Sequence, residues 1–113
     1  MIGLLAATVL STQHFEADVT ADGGDYVVVP FTVPAGTAEI DVHHVSGSDS
    51  EILDFGVWAP EGFRGWGGGL TDDAIIDVAQ STRGYLPGPI TAGTWQVVIG
   101  KALLVNGAGH YSI

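Results

Sequence analysis

The chain contains no cysteine. That absence removes disulfides, thiolate metal sites and cysteine nucleophiles together, and it leaves the compartment open. Basic residues are almost as scarce. Three Lys and Arg stand against 13 Asp and Glu, for a net charge of −10. A surface this acidic repels phosphate backbones and anionic bilayers, so neither nucleic acid nor membrane is an expected partner. Salt adaptation would leave the same composition, which does not separate it from an ordinary acidic domain. Long apolar runs are missing too. Residues 2–10 are apolar but too short to span a bilayer, and no Lys or Arg precedes them as in a signal peptide. Residues 8–19 read instead as a first strand. No segment carries a sustained 3.6-residue apolar stripe.

What is present is apolar residues in alternation. At 113 residues, 46% of them hydrophobic, the chain is long enough for one core, and residues 1–113 read as a single domain. Val27, Val29, Phe31 and Val33 alternate with Tyr26, Val28, Pro30 and Thr32. Leu53, Phe55 and Val57 alternate with Asp54, Gly56 and Trp58, and Trp95, Val97 and Ile99 with Gln96 and Val98. Ile40 and Val42 do the same on a shorter stretch, and Tyr111 opens a last strand. Each is the signature of a half-buried strand. Turn residues separate them at Asp22-Gly23-Gly24-Asp25, Pro34-Ala35-Gly36, Ser46-Gly47-Ser48-Asp49, Pro60-Glu61-Gly62 and Asn106-Gly107. Residues 72–80 fit a short helix and a strand about equally. The expected fold is all-β: an antiparallel β-sandwich, jelly-roll-like, of about eight short strands.

Candidate chemistry is sparse. His43 and His44 are neighbours on an expected strand, so their side chains point to opposite faces and cannot share an ion. His14 and His110 lie in the terminal strands, with no carboxylate placed beside them. Asp49, Glu51 and Asp54 cluster, and Asp72 and Asp73 are adjacent, but neither group has calcium-loop spacing. There is no nucleophile elbow, P-loop or dinucleotide fingerprint. The expectation is therefore no catalytic residue, no metal and no cofactor. Asp54 lies inside the apolar run Ile52-Leu53-Asp54-Phe55-Gly56, where a carboxylate needs partners. It reads as a structural acid, anchored on backbone N–H groups or paired with Arg64 or Arg83.

Two aromatic-glycine segments, read as loops, remain. The first is Gly62-Phe63-Arg64-Gly65-Trp66-Gly67-Gly68-Gly69, and the second is Gly84-Tyr85-Leu86-Pro87-Gly88-Pro89-Ile90. Large aromatics in such segments either plug the end of a sandwich or form an exposed surface. On the second reading Phe63, Arg64, Trp66, Tyr85 and Leu86 form a binding surface.

At these residues the chain resembles the N-terminal β-domain of CehA/McbA-type metallohydrolases of the PHP superfamily. Residues 26–36 are similar to that family's strand ending F-x-V-P-x-G, and Ile52-Leu53-Asp54-Phe55-Gly56 to its I-L-D-x-G strand. Residues 62–68 are similar to G-F-R-G-W-S-G-G, with Gly67 at the serine. Residues 81–90 are similar to A-T-P-G-Y-L-P-G-P-I, with Arg83 at the first proline. Residues 93–100 are similar to G-x-W-x-V-x-L-G. The family's H-x-H segment and its further metal ligands have no counterpart here. The resemblance thus implies a non-catalytic accessory domain, whose partner is a catalytic metallohydrolase domain or a partner chain. The alternatives are a stand-alone module for carbohydrate or another small polar ligand, and part of a metal-dependent phosphoesterase or carbamate hydrolase.

Overall fold

A computed structural model describes residues 9–46 and 50–113. Among them are nine strands and no helix: β1 (Glu16–Thr20), β2 (Tyr26–Val33), β3 (Glu39–Val42), β4 (Val45–Ser46), β5 (Glu51–Ala59), β6 (Gly62–Gly68), β7 (Ala74–Asp77), β8 (Gly93–Leu104) and β9 (Ala108–Ser112). One layer is the four-stranded sheet β2-β8-β5-β6. The other is assembled from β1-β9-β4 and β3-β7. Residues 39–46 form one interrupted strand, which pairs with β7 up to Val42 and with β9 from Val45. Counted that way, eight antiparallel strands make two layers in the jelly-roll manner.

The inward sets are those the alternation predicts. From the four-stranded sheet, Val29, Leu53, Phe55, Val57, Trp95 and Ile99 are buried. Val19, Ile40, Val42, Ile76 and Tyr111 face them from the other layer. Trp95 and Ile99 have no exposed surface, so the middle of β8 is the centre of the core. Burying each such side chain contributes roughly 1.5–3 kcal/mol.

Both edges of the four-stranded sheet are managed. The Lys101 amide donates to the Asp25 carbonyl at 2.9 Å, which turns the odd-numbered backbone groups of β2 toward β8 and the even-numbered ones outward. Pro30 falls at an outward position, where it has no N–H to leave unpaired. Thr32, also outward, is capped by the Gln13 side-chain amide, which accepts from its N–H at 3.1 Å and donates to its carbonyl at 2.8 Å. At the other edge the 84–86 backbone covers β6: Trp66 N–H donates to Gly84 at 3.0 Å, and Leu86 N–H to Arg64 at 2.8 Å.

Several sequence expectations are corrected. The segment 62–69 is not a loop; residues 62–68 are the edge strand β6. Glycine lowers strand propensity, but register shifts between Phe55 and Gly56 and between Val57 and Trp58 let the small residues pair as bulges. Residues 72–80 contain the strand β7, because Ala74 and Ile76 alternate into the core. The first strand covers residues 16–20 rather than 8–19, with Thr8 outside the described residues. The last begins at Ala108, not Tyr111. His43 and His44 lie in the break between β3 and β4, where the chain changes partner. Part of the turn Ser46-Gly47-Ser48-Asp49, including Asp49 of the acidic cluster, lies outside the described residues.

Candidate functional site

The residues singled out in the aromatic-glycine segments divide into two groups. Arg64 and Tyr85 are buried, whereas Phe63 and Leu86 are exposed and Trp66 is half-buried. Arg64 turns inward from β6, 5.1 Å over the Trp95 ring. Its guanidinium donates to three carbonyls of the 84–90 loop: Leu86 at 3.1 Å, Gly88 at 3.2 Å and Pro89 at 2.8 Å. A planar fork with five N–H groups suits three acceptors set around it. Tyr85 packs against Gly65 and Gly67, and its phenol donates to the Phe55 carbonyl at 3.2 Å. Burial pushes the phenol pKa up, with a Gly67 backbone hydrogen bond acting the other way. These two side chains fasten the loop to the edge strand.

The sheet's other surface carries a different pattern. Register aligns three cross-strand rows on the outer face: Tyr26, Gly100 and Asp54; then Val28, Val98, Gly56 and Trp66; then Pro30, Gln96, Trp58 and Phe63. Trp66 is the widest element. Its six-membered ring lies over Gly56 and Gly100. A methyl group on Gly56 would overlap its Cε3, and one on Gly100 would stand 3.1 Å from Cη2. The indole thus reaches from β6 across β5 to β8, where it meets Tyr26 of β2, centroids 6.1 Å apart and planes at 74°. Trp58 and Phe63 form a second edge-to-face pair at 5.4 Å and 75°. Tyr26 is 63% exposed and Val28 50%. Asp54 is the one charged residue in the three rows.

Asp54 makes no ion pair among the described residues, so of its two expected anchorings the pairing with Arg64 or Arg83 is not found. The Arg64 guanidinium is turned to the inner side of the sheet by its carbonyl acceptors, and its nearest acid is Glu61 at 3.8 Å.

The histidines have the partners the sequence did not show. His14 meets Glu16 at 3.2 Å and His110 meets Asp18 at 2.8 Å, on the outer face of the β1-β9 pair. The Asp18 hydrogen bond raises the pKa of His110. His43 Nδ1 lies 2.7 Å from Asp73, and that hydrogen bond lowers the Asp73 pKa. His44 is buried, stacked on Phe55 at 4.2 Å, and donates through Nε2 to the Asp72 carbonyl at 3.0 Å. His43 and His44 help line a pocket of about 260 Å³ with Ser46, Leu53, Phe55 and Thr71. Among the described residues no group of three or more His, Asp or Glu converges to hold a metal ion.

Sequence reasoning missed Tyr26 and Trp58 as surface residues. The signal was present: both occupy outward positions of their alternating strands, where a large aromatic is unexpected unless it is covered or used. No family model matches the chain, and no curated protein or solved structure matches it either.

Proposed function

We propose that this chain is a non-catalytic binding domain, accessory in role as its sequence resemblance implies, with the outer face of the β2-β8-β5-β6 sheet as its working surface. One observation carries the reading. On a chain with 13 acids, three adjoining rows of that face hold Tyr26, Val28, Trp58, Phe63, Trp66 and Val98 with a single carboxylate. Aromatic enrichment with charge depletion is the mark of a surface that becomes covered. The proposal moves the binding surface away from Arg64 and Tyr85, which hold the loop, and keeps Phe63 and Trp66.

Two measurements test it. Trp58→Thr with Phe63→Thr should leave the melting temperature within a few degrees, since residues kept for binding are dispensable for folding. A collapse of the cooperative transition makes them structural and removes the reading. The purified protein, incubated with Zn²⁺ or Mn²⁺, should turn over neither nitrophenyl phosphoesters nor carbamates; turnover lost on chelation overturns the non-catalytic part.

A further inference from the structure

We infer that the end of this face formed by Trp66, Tyr26 and Asp54 binds the ring of a neutral sugar. The inference rests on the reading of the outer face as the working surface. The six-membered ring of the indole packs against Gly56 and Gly100, and the half-buried side chain keeps part of its surface on the outer face. A half-buried tryptophan placed this way offers a rigid apolar plane, the complement of the C–H-rich face of a pyranose. Gly100 has two cross-strand neighbours in the same row. One is Tyr26, whose ring stands at 74° to the indole as a side wall. The other is Asp54. Platform, wall and carboxylate are therefore adjacent by register.

Asp54 decides between ligand classes. An anion is repelled by this carboxylate and by the net charge of −10. An apolar protein surface laid over the indole would desolvate Asp54 with nothing to satisfy it, at a cost of several kcal/mol. Sugar hydroxyls donate to a carboxylate in charge-assisted hydrogen bonds while the ring stacks on the indole. A neutral sugar satisfies both halves of the site. The glycine floor also holds the indole in place before binding, which lowers the ordering cost.

The test is a titration of ¹⁵N-labelled protein with cellohexaose, xylohexaose, maltohexaose and mannohexaose at millimolar concentration. At least one should shift the Trp66 indole N–H and the amides of Tyr26, Asp54 and Gly100. The Trp95 indole N–H, bonded to the Thr91 carbonyl at 2.7 Å inside the fold, should not move. Trp66→Ala should weaken binding by about tenfold or more, and Asp54→Asn by several-fold. No shift at Trp66 with any of the four sugars, or undiminished affinity in Asp54→Asn, overturns the assignment. If Trp66→Ala fails to fold, Asp54→Asn and Tyr26→Ala decide it. No sugar binding with an intact melt for the Trp58 and Phe63 double variant removes the sugar and leaves the binding face. Loss of that melt removes the face itself.

Discussion

The phenol of Tyr85 reaches the carbonyl of Phe55, 3.2 Å away, through space that Gly65 and Gly67 keep open. Phe55 lies on β5, two strands in from the loop that carries Tyr85, so this bond ties the loop past the edge strand to the interior of the sheet. Gly65 has φ +142°, and a methyl group there would stand 2.5 Å from the Tyr85 Cα. The glycines of the first segment and the tyrosine of the second are one packing unit.

Tyr85→Phe should therefore cost about 1–3 kcal/mol, because it removes the donor and leaves the ring in place. Tyr85→Ala should cost about 3–5 kcal/mol through the cavity it opens. Phe63→Ala, on the exposed face, should stay within about 0.5 kcal/mol. Urea unfolding compares the three; similar costs for Tyr85→Ala and Phe63→Ala would contradict the division into a buried fastener and an exposed surface residue.

Arg64→Lys should be nearly as harmful as Arg64→Met. An ammonium is a compact point charge and cannot serve the Leu86, Gly88 and Pro89 carbonyls in the arrangement the guanidinium does. The expected loss is about 2–4 kcal/mol, since unpaired buried carbonyls cost about 1–3 kcal/mol each and only part of that is regained from water. Amide exchange localises the effect. Protection should fall at Leu86, whose N–H bonds Arg64, and at Trp66, whose N–H bonds Gly84, before it falls in β8. A lysine variant with wild-type stability would show that charge over Trp95, not the fork, is what matters.

Gly56→Ala tests the floor beneath Trp66. The added methyl overlaps the indole, so the ring must leave the outer face or the strand must shift. The Trp66 indole N–H resonance should move and sharpen, and sugar binding at this end should be lost along with it. Gly36→Ala is the matched control. It lies at φ +85° with nothing near its missing Cβ, and it should cost about 1–2 kcal/mol from backbone strain alone. An unmoved Trp66 in Gly56→Ala would mean that the indole does not rest where it lies here.

The strands were legible because alternation is a local property. Val27 to Val33 and Trp95 to Ile99 point inward as their spacing predicts, and burial on one face fixes that choice. The edge strand β6 was not legible, since Gly62, Gly65, Gly67 and Gly68 erase both alternation and propensity. Only pairing with β5 and cover from the 84–86 segment make it a strand. The split of the aromatic residues was hidden for a related reason. Bulges in β6 send Arg64 inward while Phe63 and Trp66 face out, and bulge positions depend on the partner strand. Asp54 stands out within its apolar run, but its neighbours Tyr26 and Gly100 are set by long-range register, which one strand's sequence does not contain.

His44 gives the fold a pH dependence whose direction follows from its surroundings. Burial against Phe55 is the largest influence and holds its pKa below the ordinary 6.5, against the opposing Asp72 hydrogen bond and Asp73 charge. The folded state keeps the imidazole neutral while the unfolded chain accepts a proton near 6.5. The contribution is therefore complete above 6.5 and is lost as pH falls from there toward the depressed folded value. His110 runs the other way. Its pKa is raised, chiefly by the Asp18 hydrogen bond, so its contribution is present below 6.5 and is lost as pH rises through the folded value. The urea midpoint should thus decline on both sides of 6.5. His44→Phe retains a ring to stack on Phe55 and should flatten the acid side; His110→Gln should flatten the alkaline side. Asp41, whose pKa is raised by burial and by its hydrogen bond to Asp73, is unchanged in both variants and cancels in the comparison. A slope just below 6.5 that survives in His44→Phe would overturn the assignment to His44.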